Sequence, residues 1–468
     1  MDTSKSKGYF FCGIGGSGMA PLAAIVAERG GRVYGSDRAF DQGKSPEKFR
    51  ALQDAGIWLF PQDGSGVDAR ADVLVVSSAI EESIPDVGAA LSRGIPIQKR
   101  AELLAELFNE SPCGISIAGT SGKSTVTGMV SVMLSAMDID PTVMNGGVIV
   151  NFKDAPEPGQ IIPSMRVGGG GVFVTETDES DGSIELYRPS VAVVNNVALD
   201  HKPVAELLGL FGDFIARAEK AVVLNFDDPH LRELAQKAKV PVYSYSLGVQ
   251  EAALRAYDLE YLPSGVRFRV ERERRSYPVC LQVPGGHNVA NALAALSVGL
   301  AMGLDLDKLI PALETFKGIS RRLEVTGGRG GITVIDDFAH NPDKIAASLK
   351  TLKEFDGRLF VIFQPHGFGP LKLMGREIVE SFARYLGAED QLLMPEVYYA
   401  GGTADRSVTA RHVIGWAQEA GVDAHCFDVR GDIIPYIKAH AKTGNRIVVM
   451  GARDDTLSDF ACEILELF

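Results

Sequence analysis

The chain has 468 residues, of which 46% are hydrophobic, so it is too long and too apolar for one ordinary core and two or three domains are expected. Its 47 Lys and Arg against 60 Asp and Glu give a net charge of −13, and no long basic run supports a nucleic-acid partner. The absence of a signal-peptide pattern, of a run of roughly 18 apolar residues and of paired cysteine spacings predicts a protein of the reducing cytoplasm, without a membrane partner.

Short apolar runs alternate with helical patterns along most of the chain, which is typical of an α/β fold with parallel sheets. YFFCGIG is followed by a helical pattern that ends at Gly30 and Gly31, and RVYGSD and ADVLVVSSAI are the next strands. The alternation restarts at GISIAGTSGKST and at GITVIDDFAH. The simplest interpretation is three α/β domains, over residues 1–110, 111–325 and 326–468.

Two segments break this alternation. Residues 140–172 are rich in Pro and Gly, which favours a long surface loop over a packed element. Residues 242–284 alternate apolar and polar side chains, which predicts a few antiparallel strands attached to the middle domain.

The first glycine-rich loop, GIGGSG, follows a strand and opens a helix. Gly13, Gly15 and Gly18 have the G-x-G-x-x-G spacing, which lets backbone amides approach a diphosphate at the start of the helix. Asp37 ends the next strand, where dinucleotide sites place a ribose contact. Taken alone, this loop favours a nicotinamide or flavin enzyme, with a tight turn that binds no ligand as the alternative.

The second glycine-rich loop, GTSGKST, lies between the strand GISIA and another helical pattern. Its amides can surround phosphates, Lys123 can reach the terminal ones, and the Ser124 hydroxyl can bind Mg²⁺. Ile117 stands where the strict phosphate-loop pattern has its first glycine, but GKS after a strand remains a strong signal. A dehydrogenase has no use for a triphosphate site, so the two loops together argue against hydride transfer.

Two later strands end in oxygen-rich segments. The first is followed by four carboxylates, Glu176, Asp178, Glu179 and Asp181, and the second by Asp200 and His201. Hard cations that bridge nucleotide phosphates need such ligands near the phosphate loop. Each segment taken alone fits a solvated turn or a core histidine, but their order after the GKS loop favours a metal site.

Together these residues resemble the Mur ligases, and among them the branch that joins L-alanine to UDP-N-acetylmuramate. The match runs in order through GIGGSGM, GSD, VVSSAI, AGTSGKST, ETDESDGS, RPSVAVVNNVALDH, FDDP, GGHNVANALAAL, GISRRLE, DDFAHNP, FQPH and MGA. The resemblance implies an N-terminal Rossmann-like domain that holds a UDP-sugar, a central ATPase, and a Rossmann-like C-terminal domain that closes over both. The first loop would then bind a UDP diphosphate rather than NAD, and the second would bind ATP.

The resemblance also implies site residues. UDP-sugar contacts are expected from Gly13, Gly15, Gly16, Ser17, Gly18, Met19, Ser36, Asp37, Ser77 and Ser78. ATP contacts are expected from Gly119, Thr120, Ser121, Gly122, Lys123, Ser124, Thr125, Asn288, Asn291, Arg322, Asp336 and Asp337. Mg²⁺ would be held by Ser124, Glu176 and His201, and the catalytic set would be Lys123, Glu176, His201, Arg322 and His340. Asn288 and Asn291 would lie near adenine, although their position also fits the cap of a helix.

Several positions depart from the branch. Ser121 replaces the usual histidine of the second loop, Lys202 and Pro203 follow His201, and Asn341 replaces a second histidine. Gly367 and Pro370 stand where the branch has arginines at the substrate end of the site, and Lys372 is a partial replacement.

Other Mur ligases use a carbamylated lysine as a metal bridge. Lys202 is too close to His201 for that role, and Lys220 is expected at the far end of a helix, so no carbamylated lysine is predicted.

The resulting hypothesis is an ATP- and Mg²⁺-dependent amide ligase that acts through an acyl phosphate in peptidoglycan assembly, as a monomer or homodimer. Its substrates would be a UDP-sugar carboxylate and an amino acid, with L-alanine favoured. Three alternatives remain: a related ligase with a peptide amine or a carboxylate from outside the cell wall, a dehydrogenase, and a non-catalytic nucleotide-responsive protein. Retention of Lys123, Glu176 and His201 argues against the last.

Overall fold

The computed structural model describes residues 6–68, 70–77, 83–154, 161–198, 202–398, 405–452, 454 and 456–468. These residues form three sheets flanked by helices, so the predicted α/β fold class is confirmed. The chain divides into two compact units, the first made of Met1–Tyr257, Arg269–Val279 and Ala290–Lys317, the second of Asp258–Phe268, Cys280–Val289 and Gly318–Phe468. The domain boundaries near residues 110 and 325 stay a prediction.

The first sheet has five parallel strands in the order β3-β2-β1-β4-β5. The reversal of strand order between β1 and β4 leaves a crevice at the carboxyl ends of the strands, the usual ligand position in such sheets. Its elements are β1 (Gly8–Cys12), α1 (Met19–Glu28), β2 (Arg32–Ser36), α2 (Arg38–Asp41), α3 (Pro46–Asp54), β3 (Trp58–Phe60), β4 (Val73–Val76), α4 (Pro85–Arg93), β5 (Ile97–Lys99) and α5 (Arg100–Asn109).

The second sheet has ten strands in the order β15-β14-β13-β12-β11-β10-β6-β9-β7-β8. In this order, all neighbouring strands between β13 and β7 are parallel, and the last strand, β8, pairs antiparallel with β7. Its elements are β6 (Cys113–Ala118), α6 (Lys123–Ser135), β7 (Thr142–Met144), α7 (Val150–Asp154), β8 (Met165–Arg166), β9 (Val172–Glu176), β10 (Val191–Val194), α8 (Val204–Ala216), β11 (Ala221–Asn225), α9 (Pro229–Leu234), β12 (Val242–Ser246), β13 (Leu254–Leu262), β14 (Gly265–Arg272), β15 (Arg275–Leu281), α10 (Gly286–Ala301) and α11 (Leu306–Leu313).

The third sheet, in the second unit, has the order β16-β17-β21-β18-β19-β20, with β16 and β17 antiparallel and the other pairs parallel. Its elements are β16 (Glu324–Arg329), β17 (Ile332–Asp337), α12 (Pro342–Leu352), β18 (Leu359–Gln364), α13 (Phe368–Tyr385), β19 (Gln391–Pro395), α14 (Ala410–Glu419), β20 (Ala424–Phe427), α15 (Ile433–His440), β21 (Arg446–Gly451) and α16 (Leu457–Leu465).

The first two sheets share one hydrophobic core. Phe108 at the end of α5 packs against Phe173 of β9 and Tyr187, with ring centroids 5.7 and 5.2 Å apart. Phe108 and Phe173 are fully buried in the same apolar cluster as Phe11 of β1. The first sheet and strands β6 to β12 of the second therefore lie in one compact unit, and residues from both glycine-rich loops can be related by geometry.

The interpretation of residues 140–172 as a long surface loop is wrong where the structure describes the segment. It contains β7, α7 and β8, and Val143, Ile149 and Met165 are fully buried. The glycines permit backbone packing: a Cβ on Gly170 would lie 1.7 Å from the Ile139 carbonyl oxygen. Residues 155–160 lie outside the described part.

The expectation of antiparallel strands over 242–284 is correct only in part. The prediction is wrong for β12, because this strand pairs in parallel with β11 and with β13. β13, β14 and β15 are consecutive neighbours in the sheet joined by two-residue loops, a connection length that only antiparallel strands allow.

Candidate active site

The second glycine-rich loop is braced by the segment that follows β10. Gly119 and Gly122 have φ values of +125° and +81°, which other residues adopt only with strain. The Asn196 side-chain oxygen accepts hydrogen bonds from the Thr120 hydroxyl and the Ser121 amide, both at 2.8 Å. The loop is thus held open around the start of α6, as a phosphate-binding loop requires.

Lys123, the first residue of α6, forms an ion pair that the sequence analysis did not identify. Its ammonium lies 2.9 and 3.0 Å from the two carboxylate oxygens of Glu179 and donates to the Gly119 carbonyl at 2.8 Å. The Glu179 side chain is only 3% exposed, so this is a well-shielded charge pair. Glu179 belongs to the predicted carboxylate cluster, but the spacing of that cluster did not distinguish it from its neighbours.

Ser124 and Glu176 meet as predicted. The Ser124 hydroxyl donates to a Glu176 carboxylate oxygen at 2.7 Å. A Cβ on Gly146 would lie 1.9 Å from the other Glu176 oxygen, so only glycine at 146 leaves room for this carboxylate. A hydroxyl and a carboxylate at the edge of a phosphate loop are the ligand types that Mg²⁺ prefers, so these residues fit the ion. His201 lies outside the described residues, and no cluster of three His, Cys, Asp or Glu suited to a metal occurs among those that are described.

The two asparagines of α10 have different surroundings. Asn288, in the first turn of α10, donates to the Pro284 carbonyl at 2.7 Å; this contact is not a cap, in which the side-chain oxygen would accept from a backbone amide. Asn291 approaches the second loop, since a Cβ on Gly122 would lie 2.7 Å from its side-chain oxygen. Thr125 is half-buried in the first turn of α6. Contact of either asparagine with adenine stays a prediction.

The first glycine-rich loop is closed by its own domain. The amides of Gly13 and Ile14 donate to the Ser36 carbonyl at 2.9 Å, and the Gly15 amide donates to an Asp37 carboxylate oxygen at 2.8 Å. The second Asp37 oxygen accepts from the Ala39 amide and caps α2. Asp37 therefore shapes the loop, and its predicted ribose contact stays untested.

Around this loop, Gly16 and Met19 begin the turn into α1, and the Met19 side chain is buried. Gly16 and Ser17 are exposed and Gly18 is half-buried, and the amides of Ser17 and Gly18 have no acceptor within the described part of the chain. Ser77 is half-buried after β4, and Ser78 lies outside the described residues.

A buried polar network lies beneath the crevice. The fully buried Asp86 accepts hydrogen bonds from the Ser36 hydroxyl, the Gly64 amide and the Cys12 thiol. Burial, reinforced by the neighbouring Asp86 charge, raises the pKa of Cys12 to about 12. Cys12 is therefore an inert thiol, and Ser36 acts in this network through its side chain as well as through its carbonyl.

The second unit carries the remaining predicted residues. Asp336 is buried and bonded to the Ser458 hydroxyl at 2.5 Å and to Arg321 Nε at 3.3 Å. Asp337 is also buried, and this burial raises its pKa to about 6. One of its oxygens accepts from the Leu323 amide at 3.3 Å. The contacts of Asp337 are thus made within the second unit, and its predicted contact with ATP stays untested.

The side chains of the two adjacent arginines of ISRRLE differ in exposure. Arg321 has a φ of +59°, donates to the Gly451 carbonyl at 2.7 Å and lies over the Phe338 ring. Arg322, the predicted phosphate contact, is exposed. Arg321 is thus a residue that the sequence analysis missed, and the role of Arg322 stays a prediction.

His340 lies at the carboxyl end of β17 among aromatic rings. Its ring packs edge-on against Phe338 and His366, both with centroids 5.2 Å away. Next to it, Gly367 and Pro370 bring no charge to the start of α13, and Lys372 pairs with Asp405 at 2.5 Å. The predicted compensation by Lys372 is therefore weakened, because its charge is already matched.

Lys220, the lysine considered for carbamylation, precedes the amino end of β11. The second glycine-rich loop follows the carboxyl end of β6, which is parallel to β10 and through it to β11. Lys220 and the Ser124–Glu176 pair thus lie at opposite edges of this sheet.

Comparisons with known proteins agree with this arrangement. Three family models match in order: Mur ligase family, catalytic domain, over residues 9–111; Mur ligase middle domain, over 117–299; and Mur ligase, glutamate ligase domain, over 321–453. The UDP-N-acetylmuramate–L-alanine ligase of Pelotomaculum thermopropionicum is 33% identical over 460 residues, 96% of this chain and 95% of that protein. The ligase of the same name from Streptomyces coelicolor is 34% identical over 456 residues, 95% of each chain.

Solved structures show the same fold. The UDP-N-acetylmuramate-alanine ligase MurC of Thermotoga maritima has a TM-score of 0.76 at 24% identity and covers 98% of both chains. A murein peptide ligase of Psychrobacter arcticus has a TM-score of 0.67 at 23% identity, covering 99% of this chain and 98% of that one. In the described part of this chain, no helix is long and apolar enough to cross a membrane.

Proposed function

Because the chain belongs to the Mur ligase family, we propose that it is an ATP-dependent ligase that joins L-alanine to the carboxylate of UDP-N-acetylmuramate in peptidoglycan biosynthesis. The observation that carries the proposal is the contact set of the second loop, where Lys123 and the Ser124–Glu176 pair converge at the start of α6. The first loop, in the same compact unit, provides the second nucleotide site that this reaction needs.

The reaction has two steps. A carboxylate oxygen of the sugar attacks the γ-phosphorus of ATP, the bond to the bridging oxygen breaks, and ADP leaves with the electron pair. The amine nitrogen of alanine then attacks the acyl carbon, loses a proton, and displaces phosphate. Negative charge builds on phosphoryl oxygens in the first step and on the acyl oxygen in the second, so fixed cations and amide donors favour both.

The residues of the second loop fit these demands. The loop amides would bind the phosphates, and Lys123 would exchange Glu179 for a phosphate oxygen of ATP. Ser124 and Glu176, with His201, would hold Mg²⁺, which would supply charge neutralisation at the phosphoryl oxygens. The first step needs no protein nucleophile, because the substrate carboxylate is the attacking group.

A test is phosphate release with ATP, Mg²⁺ and UDP-N-acetylmuramate against a panel of single amino acids, with mass spectrometry of the product. We expect release that depends on all three components and a product heavier by one alanine residue. ATP binding without turnover for any amine would contradict the proposal. Family membership argues against the dehydrogenase alternative, and a parallel NAD titration checks it.

A second candidate is addition of a preformed peptide to the same sugar carboxylate. Gly367 and Pro370 leave the start of α13 without side-chain cations, and the Lys372 charge is matched by Asp405. An amine substrate with a more distant carboxylate, such as a peptide, tolerates this better than a single amino acid does. The wall tripeptide is therefore added to the panel of single amino acids, and turnover with the tripeptide but with none of the amino acids would select this candidate.

We also propose a cytoplasmic location and a monomer or homodimer. ATP and nucleotide sugars are cytoplasmic substrates, and all five cysteines are free thiols, as a reducing compartment requires. Size-exclusion chromatography with light scattering would determine the oligomeric state.

A further inference from the structure

A cation with free donors lies beside the first glycine-rich loop. Arg100 opens α5, and its side chain packs against Gly18: a Cβ built on Gly18 would lie 3.2 Å from Arg100 Cδ and 3.4 Å from Nε. No described residue accepts a hydrogen bond from the Arg100 guanidinium or forms an ion pair with it. In contrast, Arg29 of the same domain donates to the Leu107 carbonyl at 3.1 Å. Arg100 therefore presents a fork of donors that has no acceptor among the described residues.

Other donors meet at this position. The amides of Ser17 and Gly18 lack an acceptor in the described part of the chain, whereas those of Gly13, Ile14 and Gly15 are already used. Lys48 of α3 reaches the other end of the loop, where its ammonium donates to the Gly15 carbonyl at 3.3 Å. Two cations from different helices and two free amides suit a ligand with two adjacent negative groups better than one with a single charge.

A cavity of about 180 Å³ extends from Arg100 towards the second sheet. Its walls are Lys99 to Glu102 at the start of α5, and the Asp181–Ser183, Glu185 and Leu186 segment that follows the carboxylate cluster. Asp181 and Glu185 repel an anion from that wall, so an anionic group is favoured only on the Arg100 side.

We propose that Arg100 is the positioning residue that binds the diphosphate of the UDP-sugar against Gly18. This inference rests on the proposed function and adds a residue to it. The guanidinium would donate two parallel hydrogen bonds to phosphate oxygens, a geometry that a lysine at the same position cannot reproduce. A Cβ on Gly18 would lie 3.2 to 3.4 Å from the Arg100 side chain, so a residue larger than glycine would push the guanidinium slightly away from the loop.

Calorimetric titration of the full chain with UDP and with uridine tests this role. Arg100→Ala should raise the dissociation constant for UDP by about 10- to 100-fold and leave that for uridine within about threefold, because uridine has no phosphate. Arg100→Lys should recover part of the loss. The control Lys7→Ala removes an exposed cation that precedes β1, at the edge of the sheet opposite the loop, and should change either constant less than about threefold.

Unchanged UDP binding in a folded Arg100→Ala protein, or an equal loss for UDP and uridine, would overturn the role of Arg100. Thermal unfolding of each variant checks that it folds. If the wild-type chain binds NAD but not UDP, the proposed function is wrong, and Arg100→Ala must then weaken NAD binding for the diphosphate contact to survive. If the wild type binds neither, both proposals fail.

Discussion

The two glycine-rich loops of the first compact unit have similar sequences and opposite use of charge. In the first loop, three amides already have acceptors within the domain: Gly13 and Ile14 donate to the Ser36 carbonyl, and Gly15 donates to the Asp37 carboxylate. In the second loop, Lys123 and Ser124 each face a separate carboxylate, Glu179 and Glu176. The first loop is built to hold a ligand that is already charged, and the second to handle charge that changes during a reaction.

The largest effect expected from this difference comes from Lys123→Ala. Removing the ammonium should lower turnover by about 10³-fold, because a fixed cation at the transferred phosphoryl group is lost. UDP-sugar affinity should stay within about twofold, since the first loop is a separate site. Phosphate release and UDP calorimetry measure the two quantities. The exposed Lys153→Ala of α7 is the control, and loss of UDP binding in a folded Lys123→Ala protein would contradict the separation of the two sites.

Gly146→Ala should disturb the second loop from outside it. The added Cβ would overlap a Glu176 oxygen at 1.9 Å and move that carboxylate away from Ser124. We expect turnover to fall by about 10- to 100-fold and the Mg²⁺ concentration for half-maximal rate to rise, because a metal ligand is misplaced. Gly209→Ala in α8 is a matched control, since a Cβ there has no neighbour within 4 Å. Normal Mg²⁺ dependence in Gly146→Ala would argue that Glu176 is not a ligand.

Gly15→Val should disturb the first loop and leave the second intact. A side chain there would meet the Phe49 ring at 2.8 Å and the Asp37 carboxylate at 2.9 Å, so the loop must open. UDP affinity should fall on the order of tenfold as the amide positions are lost, while ATP affinity stays unchanged. Calorimetry with each nucleotide measures both effects. Gly88→Ala in α4 of the same domain serves as the control, because a Cβ there has no neighbour within 4 Å.

The features of the fold that were predicted correctly are those that depend on local backbone pattern. Both glycine-rich loops follow strands and open helices, because glycine spacing after an apolar run constrains the chain over only a few residues. Glu176 could be placed beside Ser124 because parallel strands bring their carboxyl ends together.

The sequence did not indicate which way each side chain of a cluster points. Glu179, three residues after Glu176, is the partner of Lys123 through a turn whose geometry its composition does not specify. Arg321 points inward and Arg322 outward because Arg321 adopts a positive φ, which no neighbour in the sequence signals. In residues 140–172, glycines that allow close backbone packing have the same composition as glycines of a loop.

The smallest expected effect tests whether Glu179 restrains Lys123 in the absence of nucleotide. ATP must replace the carboxylate that holds the ammonium, and the amide of Glu179→Gln is a weaker partner of the same shape. We therefore expect ATP to bind about three- to tenfold more tightly to this variant, measured by calorimetry without the sugar substrate. Glu185→Gln, an exposed carboxylate in the same segment, should leave the affinity unchanged. Weaker ATP binding in Glu179→Gln would show instead that Glu179 holds Lys123 in position for the phosphates, so that the two carboxylates of the second loop would act in concert.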